Sequence, residues 1–307
     1  MKGSRPRVCV VGSFVIDLVF KVKRRPGPGE TMLADYFGMF LGGKGFNQAV
    51  GARRLDADVS TVGRVGRDVF GDMFMAKLEQ ERIDSSRVTR DREAGTAIAS
   101  PIVDENGENS IIAAPRANMR VTPDDVLAAE EQIAFADILM LQFEIPVAAS
   151  RRAAEIARKH NTLVLLDPAP VEHGFERFAA PIDYIVPNEV EAHMLTGKMT
   201  PEEAGAVLLP ETRRGVVISL GEQGAMAVDR AALSRFPAHK VDVVDTTGAG
   251  DAFRAGLAVK IAEGAGLDAA VRFANACGAL ACTIMGAEPS MPKLDAVERF
   301  LAGLGRE

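Results

Sequence analysis

Along this chain, short apolar runs alternate with longer stretches in which apolar residues recur at helical spacing, the pattern of a parallel sheet covered by helices on both faces. The runs Arg7–Gly12, Val59–Val62, Ile138–Gln142, Leu163–Asp167, Tyr184–Val186 and Val216–Ser219 read as core strands. Between them, Asn47–Leu55, Gly71–Glu81, Asp124–Ala134, Val147–Lys159 and Glu189–Leu195 read as helices. Toward the C-terminus three helical segments follow, near Asp251–Glu263, Leu267–Thr283 and Leu294–Leu301, which predicts a helical flank on one side of the sheet. Two stretches break the rhythm. Leu18–Phe20–Val22 and Thr96–Ile98, with Ile102 and Ser110–Ile112, alternate over short distances between Pro, Gly and Asn-Gly turn signals and predict a small antiparallel add-on. No repeat, low-complexity tract or linker interrupts the chain, so one domain is expected over 1–307.

Composition narrows the class of function. At 47% hydrophobic and 25% charged the 307 residues suffice for a sizeable core. Thirty-six Lys+Arg against 42 Asp+Glu leave a net charge of −6, without the basic footprint that nucleic-acid binding needs. Three cysteines without Cys-x-x-Cys spacing argue against a disulfide framework or a zinc site and fit a reducing cytoplasm. No apolar run approaches the roughly 18 residues of a membrane span, and Val8–Ile16 ends in Asp17 without a cleavage signal, so it reads as a strand. The basic run Lys21, Lys23, Arg24, Arg25 reads as a solvated turn. His160, His173, His193 and His239 lack ligand spacing or a neighbouring nucleophile and read as surface residues.

In open parallel sheets ligands sit beyond the carboxyl ends of the strands, and the residues that follow the apolar runs are consistently polar. Asp17, Glu144, Asp167, Asn188, Ser219 and Asp245 each close such a run. Any one of them fits a turn or cap; six together, four of them carboxylates, favour a polar cleft. The densest signal is Asp245-Thr246-Thr247-Gly248-Ala249-Gly250-Asp251-Ala252-Phe253, glycines opening a helix, where free N–H groups and the helix dipole attract an anion such as phosphate. Asp251 beside such an anion hole is either a helix-start residue or the group that takes a proton from an attacking hydroxyl. A second cluster, Gly42-Gly43-Lys44-Gly45-Phe46-Asn47-Gln48-Ala49, is neither a Walker A loop nor a dinucleotide fingerprint, and brings Lys44 and Asn47 to a polar or anionic ligand. Asn188 and Glu191, one turn apart, suit either a capping pair or a hydrated magnesium ion near phosphates.

These residues resemble the PfkB carbohydrate kinase family, in its ribokinase-like branch, essentially end to end. The resemblance is carried by Gly42-Gly43-Lys44-Gly45-x-Asn47-Gln48-Ala49, Gln142-Phe143-Glu144, Asp167-Pro168-Ala169-Pro170, Pro187-Asn188-Glu189-x-Glu191, Ser219-Leu220-Gly221-x-x-Gly224, Asp245-Thr246-x-Gly248-Ala249-Gly250-Asp251-x-Phe253 and Gly286-Ala287-x-Pro289-Ser290. It implies an α/β fold, a ribokinase-like doubly wound sheet flanked by helices with a small β-sheet lid from segments within 14–40 and 94–118. It implies transfer of the γ-phosphoryl of ATP to a sugar hydroxyl with Mg2+ present, Asp251 as general base and Gly248, Ala249 and Gly250 as anion hole. The family's sugar positions fall on Asp17, Gly43, Lys44, Asn47 and Glu144, and its nucleotide contacts on Asn188, Ser219, Gly221, Gly224, Gly250 and Asn275. Asn188 and Glu191 would bear on magnesium and phosphate. A monovalent cation, K+ by expectation, would be held near Asp245, Thr247, Ala281, Ile284, Gly286 and Ser290, and a homodimer through the lid is implied.

Departures from the family pattern bear on the acceptor. Val15 stands where ribokinases commonly place an Asn, Phe46 where a small residue is usual, and Arg116 where a glycine is frequent. Arg254, just past Asp251, is expected to point to solvent rather than to a phosphate. A nucleoside kinase of the same fold, with stacking by Phe14, Phe20, Phe37 or Phe40, and a catalytically silent sugar-binding protein are the competing readings.

Overall fold

The computed structural model describes residues 5–106, 109–171, 178 and 180–304. In chain order the strands are β1 (Arg7–Val11), β2 (Val15–Lys21), β3 (Tyr36–Gly42), β4 (Asp58–Gly66), β5 (Asp84–Asp91), β6 (Ala97–Val103), β7 (Asn109–Ala114), β8 (Ile138–Leu141), β9 (Leu163–Leu166), β10 (Ile182–Ile185), β11 (Thr212–Ser219), β12 (Ala225–Asp229) and β13 (Leu233–Phe236). The helices are α1 (Lys44–Arg54), α2 (Val69–Gln80), α3 (Pro123–Leu127), α4 (Glu130–Phe135), α5 (Val147–His160), α6 (Glu189–Thr196), α7 (Pro201–Leu208), α8 (Ala249–Ala262), α9 (Leu267–Ala281), α10 (Ala287–Ser290) and α11 (Leu294–Leu304).

Nine strands form one sheet in the order β13-β12-β11-β10-β9-β8-β1-β4-β5. From β11 to β5 all neighbours are parallel, while β12 and β13 close one edge as an antiparallel pair. Because side chains alternate across a strand, β1 sends Val8 and Val10 to one core and Cys9 and Val11 to the other. The first core packs α1, α8 and α9 through residues such as Phe46, Leu257 and Val271. The second packs the α3–α7 face through Val126, Ile133, Ala153 and Leu208. The C-terminal helical flank is thus one of two helical layers. Strand β1 lies between β8 and β4, so the chain turns to opposite sides there, and the crevice beyond the ends of β1 and β8 is where a doubly wound sheet takes its ligand.

The remaining four strands form a separate sheet, β3-β2-β6-β7. It is not the purely antiparallel add-on expected. β2 and β3 pair antiparallel, as do β6 and β7, but β2 and β6 are parallel, with Asp17 opposite Ala99. The reason is topological: β2 leaves the main sheet after β1 and β6 after β5, and those two strands run the same way.

Three other expectations need correction. The single helix foreseen over Asp124–Ala134 is two, α3 and α4. The apolar run Val241–Val244 is not a strand; Val243 and Val244 are exposed. His160 sits half-buried against Glu130 and His239 packs its edge on Phe300, so neither is a bare surface residue, while His193 is exposed and His173 lies outside the described residues. No helix among the described residues is long and apolar enough to cross a membrane.

Candidate active site

Helix α1 begins at Lys44, directly after β3, and its first turns carry three polar residues into the crevice because the opposite face of the helix is occupied by Phe46. That ring is fully buried in a cluster with Phe14 and Phe74, at centroid separations of 6.1 Å and 4.9 Å. The bulky residue at this position therefore belongs to the core and fixes the rotation of α1. Asn47 and Gln48, both buried, then point toward the start of α8. Asn47 donates from Nδ2 to Asp251 Oδ2 (2.9 Å), and Gln48 donates from Nε2 to Asp251 Oδ1 (3.1 Å) and Asp167 Oδ2 (3.0 Å). Gln142 in turn donates to Gln48 Oε1 (2.6 Å), which settles the amide's orientation. Asn47 Oδ1 is buried and has no hydrogen-bond partner among the described residues, an acceptor left for a hydroxyl.

Around this pair lie the other carboxylates of the crevice. Glu144 Oε2 accepts from the Ser13 hydroxyl and from the Lys44 backbone N–H (2.9 Å), so the Gly-Gly-Lys turn is tied to the end of β8. Lys44 Nζ stands 3.3 Å from Asp167 Oδ2. Burial disfavours its charge, but Asp167, Asp251 and Glu144 outweigh that cost and hold the ammonium above its ordinary pKa. Burial pushes Glu144 up, against the pull of Lys44. Asp17, on β2 of the smaller sheet, is pushed up to about 7 by burial and by the nearby charges of Glu144 and Asp251. Its carboxylate lies over Gly42, where an added Cβ would come within 2.3 Å of Oδ2; glycine at that position is a condition for placing Asp17 here.

Helix α8 opens at Gly248 with φ of 80°, a left-handed conformation that glycine adopts at little cost. The first N–H groups of a helix have no carbonyl one turn earlier. Here the Ala249 N–H reaches Thr246 O (3.2 Å) and the Ala252 N–H reaches Gly248 O (2.9 Å), which leaves those of Gly250 and Asp251 for a ligand. Beside this helix start is a cleft of about 860 Å³ lined by Ser219, Gly221, Gly224, Ala249, Gly250 and Asn275, among others. Sequence reading missed several lining residues: His239 and Cys282 sit in no recognisable motif, while Thr246 and Phe253 lie within the glycine motif that opens α8 but were given no role. Asn275 lines the cleft and also donates to the carbonyls of Phe236 and Pro237, holding the rim in place.

Asn188 does not line that cleft. It caps α6 in a reciprocal box with Glu191, Glu191 N–H donating to Asn188 Oδ1 (2.8 Å) and Asn188 N–H to Glu191 Oε2 (2.7 Å), and it bridges to Ser219. The capping reading is what the structure displays. Arg254 overturns its expectation outright: only 3% exposed, it pairs with Asp167 Oδ1 (3.2 Å) and Glu191 Oε2 (3.1 Å) and donates from Nε to Val186 O (2.9 Å). A charge buried between two carboxylates, one just past β9 and one in the first turn of α6, is far better placed than one in solvent with those carboxylates left unpaired.

The residues expected to hold a monovalent cation are brought to one corner. Asp245 Oδ1 accepts from Thr247 and Oδ2 from the Gly286 N–H (2.8 Å), while the Val244 and Asp245 N–H groups reach Cys282 O. Ile284 is half-exposed, and Ser290 donates to Ala287 O. Among the described residues no group of three or more His, Cys, Asp or Glu is placed to hold a metal ion by itself.

Of the aromatic residues proposed for stacking, Phe14 is core and Phe20 and Phe37 stack on each other at 5.1 Å. Arg116 lies against Gly95 and donates to Thr96 O, a structural role.

Residues 5–294 match the pfkB family carbohydrate kinase family. A ribokinase of Bacillus subtilis is 37% identical over 302 residues, covering 96% of this chain and 99% of its own. A deoxyribokinase of Salmonella typhi is 32% identical, with 96% of this chain and 98% of its own covered. A ribokinase of Arabidopsis thaliana, solved with ribose and ATP, superposes with a TM-score of 0.86 at 32% identity, over 97% of this chain and 99% of its own.

Proposed function

Since the chain belongs to the pfkB family of carbohydrate kinases, we propose that it phosphorylates a pentose, ribose or 2-deoxyribose, at the expense of ATP, with Asp251 as general base. The observation that carries this reading is the placement of Asp251: both its oxygens are fixed by amide donors of α1, and it stands one residue past Gly250 at the open start of α8. The Arabidopsis relative's ribose and ATP support both ligands here.

In the reaction the sugar hydroxyl gives its proton to the Asp251 carboxylate as its oxygen bonds to the γ-phosphorus, and the bond to the β-phosphate oxygen breaks, ADP leaving with the electron pair. Such transfer asks the protein mainly for positioning and charge stabilisation. Asp17, ionised, accepts two neighbouring sugar hydroxyls, Asn47 Oδ1 takes a further one, and Gly43, Lys44 and Glu144 shape the rest of the sugar site. The N–H groups at Gly248 and Gly250, with that of Asp251, form the cradle for the transferring phosphoryl group, while the expected Ala249 N–H is already held by Thr246 O. The adenosine portion occupies the cleft of Ser219, Gly221, Gly224 and Asn275, a volume within the usual range for ligand sites.

Magnesium, carried on the nucleotide phosphates, supplies charge neutralisation. Asn188 and Glu191 would hold it only through water and phosphate, because Glu191 is shared with Arg254 and the described residues offer no protein cage. Asp245, Thr247, Ala281, Ile284, Gly286 and Ser290 would hold potassium, supported by the hydrogen bonds that join these loops. The whole of 1–307 works as one kinase unit in the cytoplasm, with the strands inside 14–40 and 94–118 as its lid, which closes to exclude water. Exposed Phe37 and Met39 on β3 and Ile112 on β7 share one face of that sheet and give the lid an apolar surface suited to a homodimer.

A nucleoside acceptor is less well supported, since Phe14 is buried in the core, Phe20 and Phe37 pack on each other, and only half-buried Phe40 among the candidates is left to stack on a base. The test is a screen of ATP consumption over ribose, 2-deoxyribose, hexoses and nucleosides. A pentose should give the highest kcat/KM; preference for a nucleoside, or no turnover with any acceptor, would refute the proposal.

A further inference from the structure

Among the charged side chains of the crevice that the phosphoryl-transfer scheme above does not use, one is a cation, Arg254. Arg254 sits on α8 a single turn after Gly250, and its guanidinium folds back over the helix start. Two of its three nitrogens are engaged: Nε with Val186 O, and Nη2 with Glu191 and Asp167. The third, Nη1, has no hydrogen-bond partner among the described residues. Its position is fixed by a different observation: a Cβ built on Gly250 would lie 2.7 Å from Nη1 and 3.9 Å from Cζ. The unused N–H pair is therefore against the same glycine whose backbone N–H is open at the helix start.

We propose that Arg254 is a catalytic residue of this chain that donates from Nη1 to the γ-phosphoryl group during its transfer. The inference rests on the kinase reading given above. As the bond to ADP lengthens and the bond to the sugar oxygen forms, negative charge is spread over three equatorial oxygens, and a rigidly held cation aimed at them is worth more in a site that excludes water than in solvent. Rigidity is what Asp167, Glu191 and the Val186 carbonyl provide: they fix the plane of the guanidinium so that Nη1 needs no reordering when the phosphate arrives. Burial works against the charge of Arg254, and Asp167, Glu191 and Asp251 keep it fully protonated. Glycine at 250 acquires a second reason in this arrangement, since any side chain there would displace Nη1.

The experiment compares the affinity of a non-hydrolysable ATP analogue with that of ADP, by calorimetry in the presence of magnesium, for wild type, Arg254→Lys and Arg254→Gln, alongside turnover with the best pentose. Lysine keeps a positive charge between Asp167 and Glu191, so that variant is expected to fold, but it offers no second nitrogen toward Gly250. Both variants should lose roughly ten- to hundredfold of the analogue's affinity relative to ADP, with ADP binding within about twofold of wild type. Turnover should fall by at least about 10². An unchanged analogue-to-ADP ratio in a folded Arg254→Lys protein would overturn the proposal and leave Arg254 a structural ion-pair partner. A wild type that binds neither nucleotide and phosphorylates no sugar would instead overturn the kinase reading itself.

Discussion

Asn47 donates from Nδ2 to Asp251 Oδ2 across 2.9 Å, although 204 positions separate the two residues. The bond joins the starts of α1 and α8, the two glycine-led helices, so the residue proposed to hold the sugar also orients the proposed base. Asp251 cannot rotate away from the acceptor without breaking it, and the same is true of the Gln48 bond on its other oxygen.

Gln48 is the hub of the buried network, serving Asp251, Asp167 and Gln142 at once. Gln48→Leu removes donors from two carboxylates and should cost about 1–3 kcal/mol of stability in urea unfolding. The loosened Asp251 should lower kcat by up to about 10²-fold. Wild-type turnover would mean that Asn47 alone suffices to orient the base.

Asp17 gives the free enzyme a pH dependence. With its pKa raised to about 7, the folded protein retains a proton on this carboxyl that the unfolded chain releases near 3.8. Stability contributed by Asp17 is therefore greatest at acid pH and falls as pH rises through that window, because the native state binds more protons there. Sugar binding runs the other way, since only the ionised group accepts two hydroxyls. The sugar KM should fall from about pH 6 to about pH 8, and Asp17→Asn should raise KM and abolish that dependence. A KM for the wild type that is flat over this range would place the sugar away from Asp17.

The ring cluster under α1 predicts a stability effect that reaches the site. Phe74 packs edge-on against both Phe14 and Phe46 and is fully buried, so Phe74→Ala should cost about 3–5 kcal/mol. With the rotation of α1 less constrained, sugar affinity should fall as well, measurable by a rise in KM on the folded variant.

Much of this was legible along the chain and some was not, for identifiable reasons. The buried parallel strands β1, β8 and β9 are continuous apolar runs and were readable to within a residue. Strand β5, DSSRVTRD, escaped because it is an edge strand with one polar face, and β13 escaped for the same reason. Asp251, Asn47 and Lys44 lie in glycine motifs that announce a backbone constraint. Arg254 was misjudged because a cation looks expensive to bury until its partners are known, and Asp167 and Glu191 are 87 and 63 positions away in the chain. The parallel pairing of β2 with β6 depends on the direction of β1 and β5, which no local pattern of either lid segment contains.

The corner around Asp245 predicts salt specificity. Turnover should be higher in potassium than in sodium or choline at equal ionic strength, and Asp245→Ala should remove the difference by releasing Gly286 and Thr247. Equal rates in all three salts would show that these hydrogen bonds only brace the loop.

The account depends most on Asp251 acting as the base, and single-turnover phosphorylation by Asp251→Asn measures that directly. Asparagine keeps the shape and its one amide oxygen can still accept from Gln48, while its NH2 meets Asn47 only if that amide turns its oxygen inward, and it accepts no proton. The account predicts unchanged folding, nucleotide affinity near wild type and a rate of phosphoryl transfer lower by about 10²–10⁴. Transfer at close to the wild-type rate would contradict it.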